Sequence, residues 1–102
     1  MRLMTKKLEK HFAEVGSQEK EKDPVIVAKF FNPFGAGTWY AVQYDPVSEL
    51  FFGYVSLFGD WRDEWTYFSL ARLESYVSTF GTGIERDLSW RERKASEIPV
   101  IR

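Results

Sequence analysis

Sixteen of the chain's 18 aromatic residues lie between Phe30 and Phe80, most of them in short runs that alternate like β-strands. Alternation with period two sends successive side chains to opposite faces of a sheet. The middle of the chain therefore reads as a curved, half-buried sheet. It carries more large rings than one small core is expected to hide, so several should stand on a working surface.

The punctuation between the runs gives the order of elements. Met4, Leu8, Phe12 and Val15 form one helical stripe, with lysines on other faces, so a helix is expected over residues 5–16, ending at Gly16. Residues 17–24 are polar and charged and read as a solvated connector, with Asp23-Pro24 turning the chain. Val25 to Phe31 is nearly apolar on both faces, as a central strand would be. Thr38–Asp45 alternates, with Tyr40, Val42 and Tyr44 opposite Trp39, Ala41 and Gln43. Leu50–Phe58 follows, interrupted by Gly53, which predicts a bulge or a close backbone approach. Glu64–Phe68 closes a four-stranded meander over residues 25–68. Short loops favour antiparallel neighbours.

Ser69 is a good N-cap for a helix over residues 69–80, with Leu70, Leu73, Tyr76 and Val77 as its apolar stripe. Residues 84–90 alternate as a short edge strand in which Ile84, Leu88 and Trp90 share a face with Arg86. Residues 91–102 read as a fraying polar tail. The expected fold is one α+β domain: an antiparallel four- to five-stranded meander, an N-terminal helix, and a second helix between strands four and five.

Net charge is −1, unevenly spread: residues 24–85 hold three Lys/Arg against seven Asp/Glu, and both ends are slightly basic. The clustered positive field that a phosphate backbone demands is confined to Arg86, Arg91, Arg93 and Lys94. No cysteine is present, which removes thiol catalysis, disulfides and cysteine-based zinc sites and fits a cytoplasmic setting. No apolar run approaches the length of a membrane span, and the start lacks the apolar stretch of a signal peptide.

Several ordered blocks resemble a known family. They are Asp23-Pro24-Val25-Ile26-Val27-Ala28-Lys29-Phe30-Phe31, Thr38-Trp39-Tyr40, Phe52-Gly53-Tyr54-Val55, Tyr67-Phe68-Ser69-Leu70 with Leu73-Glu74, and Ile84-Glu85-Arg86-Asp87-Leu88. Together, over about residues 23–90, they are similar to a family of small bacterial proteins classed as a domain of unknown function. Its members are commonly encoded on plasmids and integrative conjugative elements. The resemblance implies a cytoplasmic accessory protein of mobile DNA; it implies no catalytic residues.

The candidate chemistry is sparse. Asp60, Asp63 and Glu64 interleave with Trp61 and Trp65, but the spacing matches no calcium loop, so a solvated acidic loop is favoured over a metal site. Glu85-Arg86-Asp87 invites a catalytic reading. Alternation separates the arginine from the two acids, however, and Arg86 is expected to pair with Asp45, Glu49 or Glu74. Lys29 reads as a stem lying along apolar surface with its ammonium in water. His11 is the only histidine. Ser56, Ser69 and Ser78 lack a nucleophile elbow, and neither Gly35-Ala36-Gly37 nor Gly81-Thr82-Gly83 continues as a phosphate loop.

The expectation is thus a non-enzymatic protein with no cofactor and no metal, binding a protein partner that includes a second copy of itself among the options. The binding candidates are Trp39, Trp61, Trp65, Glu85, Arg86 and Asp87, with Tyr44 and Phe51 as further rings on the less clearly buried face. The alternative is single-stranded nucleic acid, stacked on sheet aromatics and held by the basic C-terminal edge.

Overall fold

The computed structural model describes residues 2–76 and 81–101. Helix α1 spans Lys6–Val15: the Thr5 hydroxyl accepts the Leu8 N–H at its start, and Gly16 ends it in the left-handed region (φ 76°). The strands are β1 (Val25–Ile26), β2 (Ala28–Phe31), β3 (Thr38–Asp45), β4 (Leu50–Ser56), β5 (Glu64–Ser69), β6 (Glu85–Arg86) and β7 (Arg93–Lys94), with helix α2 at Leu70–Ser75. Five of them form one antiparallel sheet in the order β5-β4-β3-β2-β6; β1 and β7 pair separately. The expected α+β meander with its two helices is the fold observed. Among the described residues no helix is long and apolar enough to cross a membrane.

Both faces of the sheet are packed. On one lie Leu3, Phe12, Phe30, Ala41, Phe51, Leu70, Leu73 and Ile84, covered by the two helices; on the other lie Ile26, Tyr40, Val42 and Tyr54 with Ala95 and Ile98. A β-bulge between Ala41 and Gln43 exchanges the faces partway along β3. Simple alternation puts Tyr44 with Tyr40 and Val42. The bulge instead carries it across to stack on Phe51, 4.8 Å between centroids. Gly53 is the partner that permits this, since a Cβ there would sit 1.9 Å from the Tyr40 carbonyl oxygen.

The connector is not wholly solvated. Gln18 is 7% exposed: its Nε2 donates to the carbonyls of Val25 (2.9 Å) and Val42 (2.6 Å), and its Oε1 accepts the Val25 N–H (2.8 Å). It thereby satisfies the carbonyl at the bulge. The first expected strand breaks at Val27, whose N–H reaches the Ala41 carbonyl between β1 and β2.

Three further expectations change. Helix α2 is six residues long, and Tyr76 is already extended (ψ 128°); Val77 and the rest of the stripe to residue 80 lie outside the described residues. The last strand of the sheet stops at Arg86. Asp87 accepts the Ser89 and Trp90 N–H groups and turns the chain, so Leu88 is left 71% exposed while Trp90 joins the opposite face. The C-terminal segment does not fray. β7 pairs with β1, a 3₁₀ turn spans Ala95–Glu97, and Ala95, Ile98, Val100 and Ile101 pack on the second core. The Asp23 carboxylate holds this segment by accepting from the Ser96 hydroxyl (2.7 Å) and N–H (2.8 Å), bonds that lower its pKa. His11 bonds Glu92, tying α1 to the same segment.

Candidate functional site

Thr38 pairs with Ser56, so the turn at residues 32–37 and the loop at residues 57–63 leave the sheet side by side. Tyr76 reaches the same end, its hydroxyl 3.5 Å from Asn32 Nδ2. Phe34, Leu57, Phe58, Trp61 and Tyr76 are all exposed there, more than half of the large apolar side chains exposed anywhere among the described residues. Beside them a groove of about 660 Å³ runs over Trp39, Leu57, Phe68, Arg72, Leu73 and Tyr76.

The loop at residues 57–63 is held in shape by its own acids. The Asp63 carboxylate accepts from the Ser56 hydroxyl (2.8 Å) and from the N–H groups of Phe58 (3.4 Å) and Gly59 (3.3 Å). Asp60 accepts the Arg62 N–H (2.9 Å) and three guanidinium bonds, the shortest 2.7 Å, and this pairing raises the Arg62 pKa. Gly59 supplies the positive φ (69°) that the turn requires. Arg62 then lies 3.7 Å over the Phe58 ring and 5.8 Å from that of Trp61. Asp60 and Asp63 organise the loop, and among the described residues no three His, Asp or Glu side chains converge on a metal position.

The residues singled out from the sequence are dispersed. Trp61 is 83% exposed at the loop. Trp39 is half-buried against the first core and lines the groove. Trp65 is half-buried on the other face, stacked 6.2 Å from Phe52 and edge-on 5.5 Å from Tyr54. Phe51, expected on an outer face, is fully buried, and Tyr44 is a half-buried member of the same ring cluster. Glu85, Arg86 and Asp87 sit on the edge strand β6 and the turn after it, three strands from β4. Arg86 Nη1 donates to the Leu3 carbonyl (2.7 Å), where the sequence predicted a carboxylate; Glu74 instead accepts the Leu3 N–H (2.9 Å). Asp87 pairs with Lys29 (3.8 Å), whose ammonium also lies 5.8 Å from the Trp90 ring.

The basic C-terminal edge is likewise divided. Arg86 turns inward, Arg93 lies 4.7 Å over Trp90, and Lys94 is paired to Val25 in the small sheet. Sequence reasoning missed Phe34, Leu57, Phe58, Arg62 and Tyr76. The available signal was Arg62, one of only three cations in residues 24–85, set four positions after Phe58 in a loop.

These features define a small α+β protein whose sheet is packed on both faces and bears a ring-carrying loop at one end. The chain belongs to the family described as "Protein of unknown function (DUF2958)", whose family model matches residues 3–97. That match takes in α1 and the start of the C-terminal segment as well as the central blocks. No curated protein and no solved structure matches the chain.

Proposed function

We propose that this chain is a non-catalytic protein-binding module, an accessory of bacterial mobile DNA acting in the cytoplasm, and that it engages its partner through the loop at residues 57–63. The observation that carries this reading is the exposure of Trp61 beside the Phe58–Arg62 stack on a loop fixed by Asp60 and Asp63. A floppy loop would fold such rings down or lose entropy when it ordered on binding. This loop presents them already ordered, and tryptophan and arginine dominate interface energetics. The mobile-DNA setting and the cytoplasm come from the sequence resemblance and the cysteine-free composition.

The test is capture of a partner from the native host by wild-type protein, Phe58→Ala and Trp61→Ala side by side. Wild type should retain a protein that both variants lose, with circular dichroism unchanged in all three. A partner retained equally by the variants removes the loop from the site. Oligonucleotide binding at low salt that depends on Arg91, Arg93 and Lys94 would replace the protein reading with a nucleic-acid one, because the phosphate contribution is strongest there.

A further inference from the structure

The sheet has two edges, and β5 is the longer one: β4 lies on one side and, among the described residues, no strand on the other. Its register shows which backbone groups face outward. The Leu70 N–H donates to the Glu49 carbonyl (3.1 Å), extending the ladder in which Phe51 faces Phe68 and Phe52 faces Tyr67. Antiparallel pairs alternate between bonded and unbonded, so Phe52–Tyr67 is an unbonded pair and the Tyr67 N–H and carbonyl point away from β4. Natural edges are commonly protected by lysine, proline or a bulge. Glu64-Trp65-Thr66-Tyr67-Phe68-Ser69 contains neither of those residues, and its register against β4 is unbroken.

Two charges bracket this edge on one face. Glu64 stands opposite Val55 at the start of β5, on the helix-covered face, and Arg72 projects from α2 just past its end. Both are exposed, and among the described residues neither side chain makes an ion pair. A two-fold axis perpendicular to the sheet brings opposite ends of two such strands together and keeps like faces on the same side.

We infer that β5 pairs with β5 of a second copy, antiparallel about Tyr67, giving one continuous ten-stranded sheet. In that register the two Tyr67 residues exchange backbone hydrogen bonds. Glu64 comes opposite Leu70 of the second copy, within reach of its Arg72, and symmetry makes the same ion pair twice. On the opposite face the two exposed Tyr67 rings meet and lose water. This surface adjoins the loop at residues 57–63, since Glu64 follows that loop directly and Arg72 lines the groove beside it.

Sedimentation velocity over a concentration series, up to the millimolar range, tests the pairing. Wild type should show a concentration-dependent dimer. Glu64→Arg and Arg72→Glu should each weaken it at least ~tenfold by placing like charges together. The double variant E64R/R72E should restore it, and the Tyr67 amide should exchange more slowly with deuterium as dimer forms. A chain that stays monomeric throughout overturns the inference. So does a dimer indifferent to both single reversals, a double variant that fails to recover, or a Tyr67 amide that gains protection only when a different protein is added.

Discussion

Phe51 and Trp61 lie on the same pair of hairpins, yet one is fully buried and the other 83% exposed. Phe51 contacts four rings: Tyr44 at 4.8 Å, Phe68 at 5.1 Å, Phe30 at 5.2 Å and Phe12 at 5.7 Å. Trp61 has the Arg62 guanidinium 5.8 Å from its ring. The strand interior gathers rings from α1 and four strands, and Tyr44 joins them because the bulge in β3 turns it inward. The loop's carboxylates bond backbone and arginine groups, and its rings Phe58 and Trp61 are exposed. Ring density thus serves two purposes here, cohesion in the interior and presentation at one end.

The contrast breaks most visibly at Phe51. Phe51→Ala should lower stability by about 4 kcal/mol, in the range for buried phenylalanine truncations, as read from denaturant midpoints. A loss below about 1 kcal/mol would mean that the cluster collapses to fill the gap. Gln18→Ala comes next. It strips partners from the Val25 N–H and the Val25 and Val42 carbonyls, and about 2 kcal/mol is expected from unsatisfied buried groups. A neutral result would mean that water replaces the side chain.

Acid should release the C-terminal segment before it unfolds the ring cluster. The Asp23 pKa is lowered by its bonds to Ser96, so that clamp contributes fully above the unfolded value of 3.8 and is lost as pH falls through the lower folded value. Amide exchange at Ser96 should therefore rise below the ordinary carboxylate range while the β3 and β4 amides stay protected. Simultaneous loss at both places would join the two regions into one cooperative unit.

The central strands were legible because Thr38–Asp45 and Glu64–Phe68 alternate cleanly between turn residues, and Gly53 announced the irregularity opposite it. The helical stripe of α1 and its Thr5 and Gly16 ends were legible for the same local reasons. What escaped depends on distant partners. Ala95, Ile98, Val100 and Ile101 have no regular period, and only the Asp23–Ser96 clamp and pairing with β1 make a layer of that polar stretch. Arg86 found a backbone carbonyl at Leu3, 83 residues away, and no local pattern encodes that choice. At the site, exposed tryptophan was anticipated at Trp61. Trp65 went instead into a stack on the far face, since a strand position and a loop position four residues apart look alike by composition.

The most direct measurement of the division between cohesion and presentation is the stability of Trp61→Ala, read beside its partner capture. Stability should change by no more than about 0.5 kcal/mol, as for a surface position, while the captured protein is lost. A loss of about 2 kcal/mol or more would place Trp61 among the residues that hold the fold together and contradict the account.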